Sequence, residues 1–388
     1  MKRGLVVAIG FVATAIVTAR ALSLPVREKP TRDVVGGAEA DDKLDDKLPA
    51  HSRTFQGAEA ADQPTSRPRT SRDVIQRGVA LGMFAEDVSF SYVPLLGEIA
   101  ELGASHVALV IPLYQAHAAS TTLYLHTRLS PTLEEIADTI RDARRLGLEV
   151  TLFPIVRLLS PRTPNEWRGT LQPTDRDAWF RSYGQLLGDL ASLANLTGAS
   201  RLVVGSELST LDGDITQWDK LLTFVRAVYS GTLLYSANWD HYRYAQVFDL
   251  VDEIGVTAYF SLRAPKQPSD VPTLLSSWRG LRHQLESDLA KYDKPFLFTE
   301  VGYRSRAGAT AAPWDETGGG SPDPGEQQRG FEAFRQAFTD PLGARGRLDG
   351  IYVWNWYGYG GPGTTSYTPR GKPAATTVRQ LLSDLERP

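Results

Sequence analysis

Apolar and polar positions alternate in long, regular blocks from Gly78 to the end of the chain. Short runs that are apolar throughout have the length and composition of strands buried on both faces. Longer segments between them carry apolar residues at helical spacing. In one of these, Thr132 and Glu135 form the sequence signature of a capping box, and Gly147 marks the end of the helix.

Eight strand-like runs alternate with eight helix-like segments. The strands are predicted at 78–84, 106–114, 149–156, 201–205, 232–238, 253–260, 295–299 and 350–356, and the helices at 94–104, 132–147, from about 177, and at 215–229, 244–251, 273–292, 324–338 and 375–385. A parallel sheet covered by helices follows from this order, and eight repeats predict an α/β fold of the (β/α)8 TIM-barrel type. A doubly wound open sheet is the alternative, but no GxGxxG motif follows the first strand.

The segments before the barrel differ in character. Lys2 and Arg3 precede an apolar run that ends in Ala19-Arg20-Ala21, which is typical of a cleaved secretory signal at 1–21; an uncleaved anchor is the alternative. Residues 22–72 are rich in proline and charged residues and are expected to form a disordered linker. The barrel domain is then predicted at 73–388, and the protein is expected to be secreted or periplasmic, with no stable membrane insertion after signal cleavage.

The composition of the chain excludes several kinds of site. The 388 residues include no cysteine, which excludes disulfides and thiolate-bound zinc, and the six histidines show no metal-binding spacing. We therefore expect neither a metal nor another cofactor. The net charge of −3 provides no basic surface for nucleic acid. The oligomeric state is not encoded in any pattern that we can identify.

Active sites of such barrels lie at the carboxyl ends of the strands. Glu207 follows the fourth strand and Glu300 ends the seventh, so the two carboxylates are expected to face each other across the barrel mouth. Two converging carboxylates can cleave a glycosidic bond, one as acid and one as nucleophile or base. The alternatives are barrel-end ion pairs with nearby arginine or lysine residues, or a divalent-metal site.

The other strand ends supply aromatic and amide groups suited to sugar rings and hydroxyls. An i, i+2 spacing on one strand would place Trp354 and Trp356 on the same face, although at least one of them could belong to the core. Each candidate has a structural alternative: a packed core tyrosine for Tyr259, a loop cap for Asn238, and a plain surface loop for Trp167 and Arg168. The candidate substrate-binding residues are Tyr114, Gln115, Trp167, Arg168, Asn238, Trp239, Tyr259, Trp354 and Trp356; Trp314 is a candidate lid residue.

Seven segments along the barrel resemble glycoside hydrolase family 113. They are ALVIPLYQ, WRGTLQPTDRDAWFRSY, VVGSEL, LLYSANWDHY, IGVTAYF, KPFLFTEVGYRS and GIYVWNWY. The resemblance covers about residues 74–357 and implies a retaining β-1,4-mannanase with Glu207 as acid/base and Glu300 as nucleophile. It also implies that Trp167 and Arg168 belong to an element that contacts substrate, and that the partner is a polysaccharide or oligosaccharide.

One segment departs from the family pattern. Where Lys-Pro-His is expected on the third strand, this chain has Phe153 and Ile155 around Pro154. The departure affects the expected mannan specificity more than the hydrolytic residues. A different hexopyranoside or a modified sugar is compatible with it. Two other functions also remain open, namely a catalytically silent carbohydrate-binding barrel of the cell envelope and a transglycosylase that uses the same residues.

Overall fold

The computed structural model describes residues 75–87, 90–339 and 348–386. The signal peptide predicted at 1–21 and the linker predicted at 22–72 lie outside the described residues. Within the described ranges, no helix combines the length and apolar character needed to cross a membrane.

Eight parallel strands form a closed barrel in sequence order. The first strand pairs with the eighth, Gly78 opposite Tyr352, and this closing pair rules out the open sheet. The (β/α)8 prediction is therefore confirmed. The strands are β1 (Gln76–Gly82), β2 (His106–Gln115), β3 (Glu149–Leu158), β4 (Arg201–Ser206), β5 (Thr232–Ala237), β6 (Glu253–Thr257), β7 (Phe296–Val301) and β8 (Leu348–Val353).

Helices fill the connections on the outside of the barrel. The described part of the chain contains α1 (Val93–Glu101), α2 (Leu133–Arg145), α3 (Arg176–Thr197), α4 (Ile215–Val228), α5 (Val271–Leu289), α6 (Pro324–Phe338) and α7 (Ala374–Glu386). The capping box predicted for α2 is present, since Thr132 accepts from the Glu135 backbone N–H and Glu135 accepts from that of Thr132.

The helix predicted at 244–251 is wrong. This connection consists of two 3₁₀ segments, Tyr242–Tyr244 and Gln246–Leu250. Because β6 begins at Glu253, too few residues follow to complete α-helical hydrogen bonds. The ammonium group of Lys294 instead donates to the carbonyl oxygens of Phe248 and Asp249, each at 2.8 Å.

Side chains alternate between two apolar layers. On β2, Val107, Leu109 and Ile111 pack outward in the large cluster shared with the helices, whereas Ala108 and Val110 pack inside the barrel. The interior layer fills the barrel as a packed core rather than leaving a pore. Its members are Ala80, Ala108, Val110, Phe153, Ile155, Val203, Leu234, Tyr259, Leu297, Tyr352 and Trp354.

A polar network closes the amino-terminal end of the barrel and is called the floor network here. Glu253 accepts from Gln76 at 3.2 Å and forms an ion pair with Arg201 at 3.2 Å. The Tyr352 hydroxyl donates to Gln76 at 3.0 Å and bonds Thr151 at 2.8 Å. These five residues come from β1, β3, β4, β6 and β8, so the network joins strands that are distant in sequence.

Register shifts occur on the strands that lead to the two glutamates. They lie between Val203 and Gly205 on β4 and around Phe298 to Val301 on β7. A bulge adds one residue to a strand and redirects the side chains after it. On β7 this allows neighbouring Thr299 and Glu300 both to bond groups inside the mouth, where strict alternation would separate them.

Candidate active site

Glu207 and Glu300 are both buried at the carboxyl end of the barrel, with 4 % and 1 % of their surface exposed. Burial raises the pKa of Glu300 to about 8, and the negative charge of Glu207 contributes in the same direction. The two carboxyl groups are therefore close enough to interact electrostatically. Their hydrogen-bond partners, however, are quite different.

Glu207 has a donor on each carboxylate oxygen. The Arg168 guanidinium contacts Oε2 at 2.5 Å, and the Thr257 hydroxyl donates to Oε1 at 2.9 Å. Glu207 also has a φ of 54°, which is a left-handed conformation uncommon for a residue other than glycine. Such backbone conformations are found preferentially at functional sites, where the surrounding structure maintains them.

Within the described part of the chain, one side chain donates to Glu300. The Tyr259 hydroxyl donates to Oε2 at 2.6 Å, whereas Oε1 is buried and has no hydrogen-bond partner there. The pKa of Tyr259 is raised well above its ordinary value by burial and by the charge of Glu300, so the phenol keeps its proton. Oε1 is thus the oxygen of Glu300 that remains available to a bound molecule.

Three residues at the carboxyl end of the barrel, Glu300, Arg168 and Ser206, each have one buried polar atom with no partner among the described residues: Oε1, Nε and Oγ, respectively. Buried polar groups in folded proteins are usually paired, so each exception calls for an explanation. Hydroxyl groups of a sugar could satisfy both donors and acceptors of this kind. These atoms therefore favour a polar ligand at the mouth.

Asn238 and Trp239 connect to Glu207 through Thr257. The Thr257 hydroxyl lies 3.3 Å from Asn238 Oδ1 and accepts from the Trp239 backbone N–H at 3.2 Å. The Asn238 amide nitrogen donates to Asp240 at 2.8 Å. The structure thus brings Glu207, Arg168 and Asn238 together, with Thr257 as an additional member.

Aromatic rings line the rim of the mouth. Trp239 stacks on Trp314 with ring centres 4.8 Å apart and an angle of 23° between the planes, and Trp314 is 43 % exposed. Trp167 is 37 % exposed and lies under the Arg168 guanidinium at 5.9 Å. Trp354 packs in the interior layer near Tyr259. These faces are suited to stacking against sugar rings.

Two of the substrate-binding predictions are wrong in their geometry. Gln115 is the last residue of β2, and the alternation of this strand turns it outward, where it accepts from the Trp179 indole at 2.8 Å. Trp356 lies beyond the end of β8 and packs in the outer layer, where its indole donates to Glu98 on α1 at 2.7 Å. The i, i+2 rule does not extend to it, because the strand ends at Val353.

The third strand is apolar on its inner face. Phe153 and Ile155 belong to the interior layer, and Arg157 follows them opposite Tyr114 of β2. Tyr114 is buried, and its ring centre lies 5.6 Å from that of His126. Tyr114 therefore belongs to the β2–β3 side of the barrel, and no hydrogen bond joins it to the glutamate pair within the described residues.

Sequence reasoning missed Thr257 and Glu316. Thr257 could have been found, since it lies two residues before Tyr259 on the same strand run. Glu316 lies in the glycine-rich connection after β7, where no periodicity points inward. Its charge acts on both Arg168 and Glu300. Among the described residues, no group of three or more histidine, aspartate or glutamate side chains is arranged to hold a metal ion.

Comparisons with known proteins agree with this geometry. The model of Glycoside Hydrolase Family 113 matches residues 82–360. The GH113 β-mannanase AaManA from Alicyclobacillus acidocaldarius, solved in complex with ManMIm, is 26 % identical, with a TM-score of 0.71 over 81 % of this chain and 100 % of its own.

A second solved structure, a complex of a GH113 β-1,4-mannanase, is 22 % identical, with a TM-score of 0.68 over 80 % of this chain and 99 % of its own. The Glycoside Hydrolase Family 5 mannosidase from Rhizomucor miehei shares the fold at 10 % identity, with a TM-score of 0.58 over 80 % of this chain and 93 % of its own. The comparison with curated proteins gives no match. Because the family model spans most of the barrel, the chain belongs to glycoside hydrolase family 113 and is a glycoside hydrolase.

Proposed function

We propose that this glycoside hydrolase acts on β-linked hexopyranosides with retention of configuration. The observation that carries the proposal is the buried pair Glu207 and Glu300, in which each carboxylate has its own hydrogen-bond partners. Glu207 protonates the departing glycosidic oxygen while Glu300 Oε1 attacks the anomeric carbon. Glu207 then removes a proton from water, and the water releases the covalently bound sugar from Glu300.

The proposed substrate is a β-1,4-mannan or a manno-oligosaccharide. Support comes from the two GH113 structures, which are described as β-mannanases. The apolar inner face of β3 around Phe153 and Ile155 offers fewer polar contacts than the family pattern would. We therefore propose β-mannosides as the first substrates to test and include other β-linked hexopyranosides beside them.

One contact favours a second candidate function. Arg168 forms an ion pair with Glu207, and a carboxylate held by a guanidinium is poorly suited to donate a proton. A carbohydrate-binding barrel without turnover would show this arrangement permanently. The two functions differ in whether sugar bonds break, so an activity measurement separates them.

The test uses the full chain, the variants Glu207→Ala and Glu300→Ala, and Glu101→Ala as a matched control on the exposed end of α1. The substrates are 2,4-dinitrophenyl β-D-mannoside, mannan, glucomannan, xylan and β-glucan. We expect at least a 1000-fold loss of mannan hydrolysis in both variants. The dinitrophenyl leaving group needs no proton, so Glu207→Ala should still release it and accumulate glycosyl-enzyme.

Azide adds a stereochemical criterion. It should rescue Glu207→Ala to give the β-glycosyl azide and Glu300→Ala to give the α-glycosyl azide, because only the first reaction passes through a covalent intermediate. Products longer than the substrate would indicate sugar, rather than water, as the acceptor. Sugar binding without turnover of any substrate would support the silent barrel instead.

We also propose that the protein is secreted after cleavage at the Ala19-Arg20-Ala21 segment. The N-terminal sequence of protein recovered from the medium or periplasm tests this, and retention of residues 1–21 would contradict it.

A further inference from the structure

Arg168 reaches the catalytic pair from a loop rather than from the barrel. It begins a short 3₁₀ segment, Arg168–Thr170, in the connection between β3 and α3. Its Nη2 contacts Glu207 Oε2 at 2.5 Å, and its Nε is buried without a partner. The guanidinium is therefore only partly satisfied by the described residues, and it occupies one of the two oxygens of Glu207.

This arrangement conflicts with the chemistry proposed above. Glu207 accepts a hydrogen bond on each carboxylate oxygen, from Arg168 and from Thr257, and a guanidinium partner favours the ionised form of a carboxyl group. Glu300, by contrast, is desolvated and lacks a donor on Oε1. These contacts favour the shared proton on Glu300 in the free protein, whereas double displacement requires it on Glu207.

We propose that Arg168 determines which glutamate holds the shared proton, and that the sugar on the leaving-group side draws Arg168 away from Glu207 when it binds. This inference rests on the proposed function. The step is balanced: one proton leaves the Glu300 carboxyl and joins the Glu207 carboxylate. Glu300 becomes the ionised nucleophile and Glu207 the acid, with no change in the charge of the pair.

The surroundings of Arg168 provide alternative partners for the displaced guanidinium. Its unpaired Nε can donate to a sugar hydroxyl, and its plane already lies over the Trp167 ring. Glu316 is exposed, and its charge acts on Arg168. Movement toward substrate or toward Glu316 would leave Glu207 Oε2 free.

Among the described residues, Arg168 is the cation whose charge acts on Glu300, and the tyrosines nearby are neutral. Tyr235 on β5 packs in the outer layer, where its hydroxyl accepts from the backbone N–H of Leu208, the residue after Glu207. Tyr259, which follows β6, donates to Glu300, and Tyr367, in the connection after β8, packs against Tyr259. Burial raises the pKa of all three phenols far above neutrality, so they remain neutral. Arg168 is thus the cation whose position distinguishes the two glutamates, with Glu316 as the competing anion.

The test measures protonation directly. The full chain is labelled with glutamate carrying ¹³C at the carboxyl carbon, and the signals of Glu207 and Glu300 are assigned with Glu207→Gln and Glu300→Gln. Arg168→Gln and Arg168→Lys are compared with Arg162→Gln, which changes an arginine of the same connection that contacts His117 rather than the pair. Each protein is titrated free and with saturating mannobiose.

In the free wild type and in Arg162→Gln, the step near pH 8 should belong to Glu300. In Arg168→Gln this titration step should appear in the signal of Glu207. In Arg168→Lys both carboxyl signals should show part of the step. Mannobiose should transfer this step from Glu300 to Glu207 in the wild type and leave Arg168→Gln unchanged. If Arg168 had only a structural role, its substitution would not move the titration step near pH 8 from the Glu300 signal to the Glu207 signal.

Two results would overturn the inference. One is a titration step near pH 8 in the Glu207 signal of the free wild type. The other is bound mannobiose that leaves this titration step in the Glu300 signal. A lack of binding by mannobiose, cellobiose and xylobiose would count against the proposed function instead. In that case the titrations of the free wild type and of Arg168→Gln still decide whether Arg168 directs the proton.

Discussion

At the scale of single residues, the surroundings of Glu300 destabilise the ionised form of its carboxyl group. Its carboxyl is almost fully buried, one oxygen has no donor, and the negative Glu207 lies nearby. An isolated surface glutamate has none of these features. The pKa of about 8 means that the folded protein holds a proton that the unfolded chain would release well below neutrality.

The dependence of stability on pH follows with a definite sign. Between the ordinary value of 4.5 and about 8, the folded state binds the proton more tightly, so the free energy of unfolding falls as pH rises. Glu300→Gln has no such proton and should therefore be more stable than the wild type by roughly 4 kcal/mol at pH 8 and by roughly 1 kcal/mol at pH 5. Urea unfolding at both pH values measures the difference.

The exposed Glu134 on α2 provides the control for that experiment, since Glu134→Gln should change stability little at either pH. An equal gain for Glu300→Gln at pH 5 and pH 8 would contradict the argument, because a packing effect does not depend on protonation.

Sequence reasoning at this scale succeeded where a residue follows directly from a strand. The mouth positions of Glu207 and Glu300 were predictable from the ends of their strands. Gln115 was misplaced because β2 continues through it, and one further residue in a strand reverses the direction of a side chain. The contact of Arg168 with Glu207 depends on the path of a long connection, which no local pattern encodes.

At the scale of elements, connections rather than strands form the rim. Trp239 follows β5, Trp314 follows β7, and their rings stack across the gap between these connections. One face of each indole is thus occupied by the other, and nearly half of Trp314 remains exposed. This exposed ring is an expected platform for a sugar unit distant from the cleaved bond.

We expect Trp314→Ala to raise KM for manno-oligosaccharides about fivefold to tenfold, because one stacked aromatic ring contributes about 1 kcal/mol. The kcat for 2,4-dinitrophenyl β-D-mannoside should change less than twofold, since this small substrate does not reach the rim. Phe224→Ala, which removes a half-exposed ring from α4, is the matched control. Equal losses on both substrates would indicate a disturbed catalytic pair instead.

Strands and long helices were predictable, because apolar runs and helical periodicity directly reflect burial. The helix prediction for 244–251 failed. The eight residues include enough apolar side chains for a helix, but the segment is too short before β6 to complete α-helical hydrogen bonds. The carbonyl oxygens of this segment are satisfied from outside by Lys294, which lies more than forty residues further along the chain. The helix propensity of a short segment does not indicate a hydrogen-bond donor so far along the chain.

At the scale of the whole molecule, barrel closure depends on contacts between distant parts of the chain. Eight alternating units predicted the barrel, but the pairing of β1 with β8 and the floor network beneath it had no local signal. Glu253 is central to this network, since it bonds both Gln76 and the largely buried Arg201. Removing one charge of such a pair leaves the other without compensation.

Glu253→Ala should therefore lower the free energy of unfolding by roughly 3 kcal/mol, whereas kcat per folded molecule should remain within twofold. Denaturant unfolding and active-site titration measure the two quantities. The double variant Arg201→Met with Glu253→Met, which removes both charges, should recover most of the loss. A matching fall in kcat would show that the two ends of the barrel are coupled.

Between the floor network and the mouth lies the interior layer of packed apolar side chains. The layer keeps the two ends apart in one definite sense, because the floor network and the hydrogen bonds of the glutamate pair share no residue. A substitution in a rim loop therefore removes none of the hydrogen bonds that close the barrel. Evolution or a designer can exchange the rim loops to obtain new specificities while the scaffold below continues to fold in the same way.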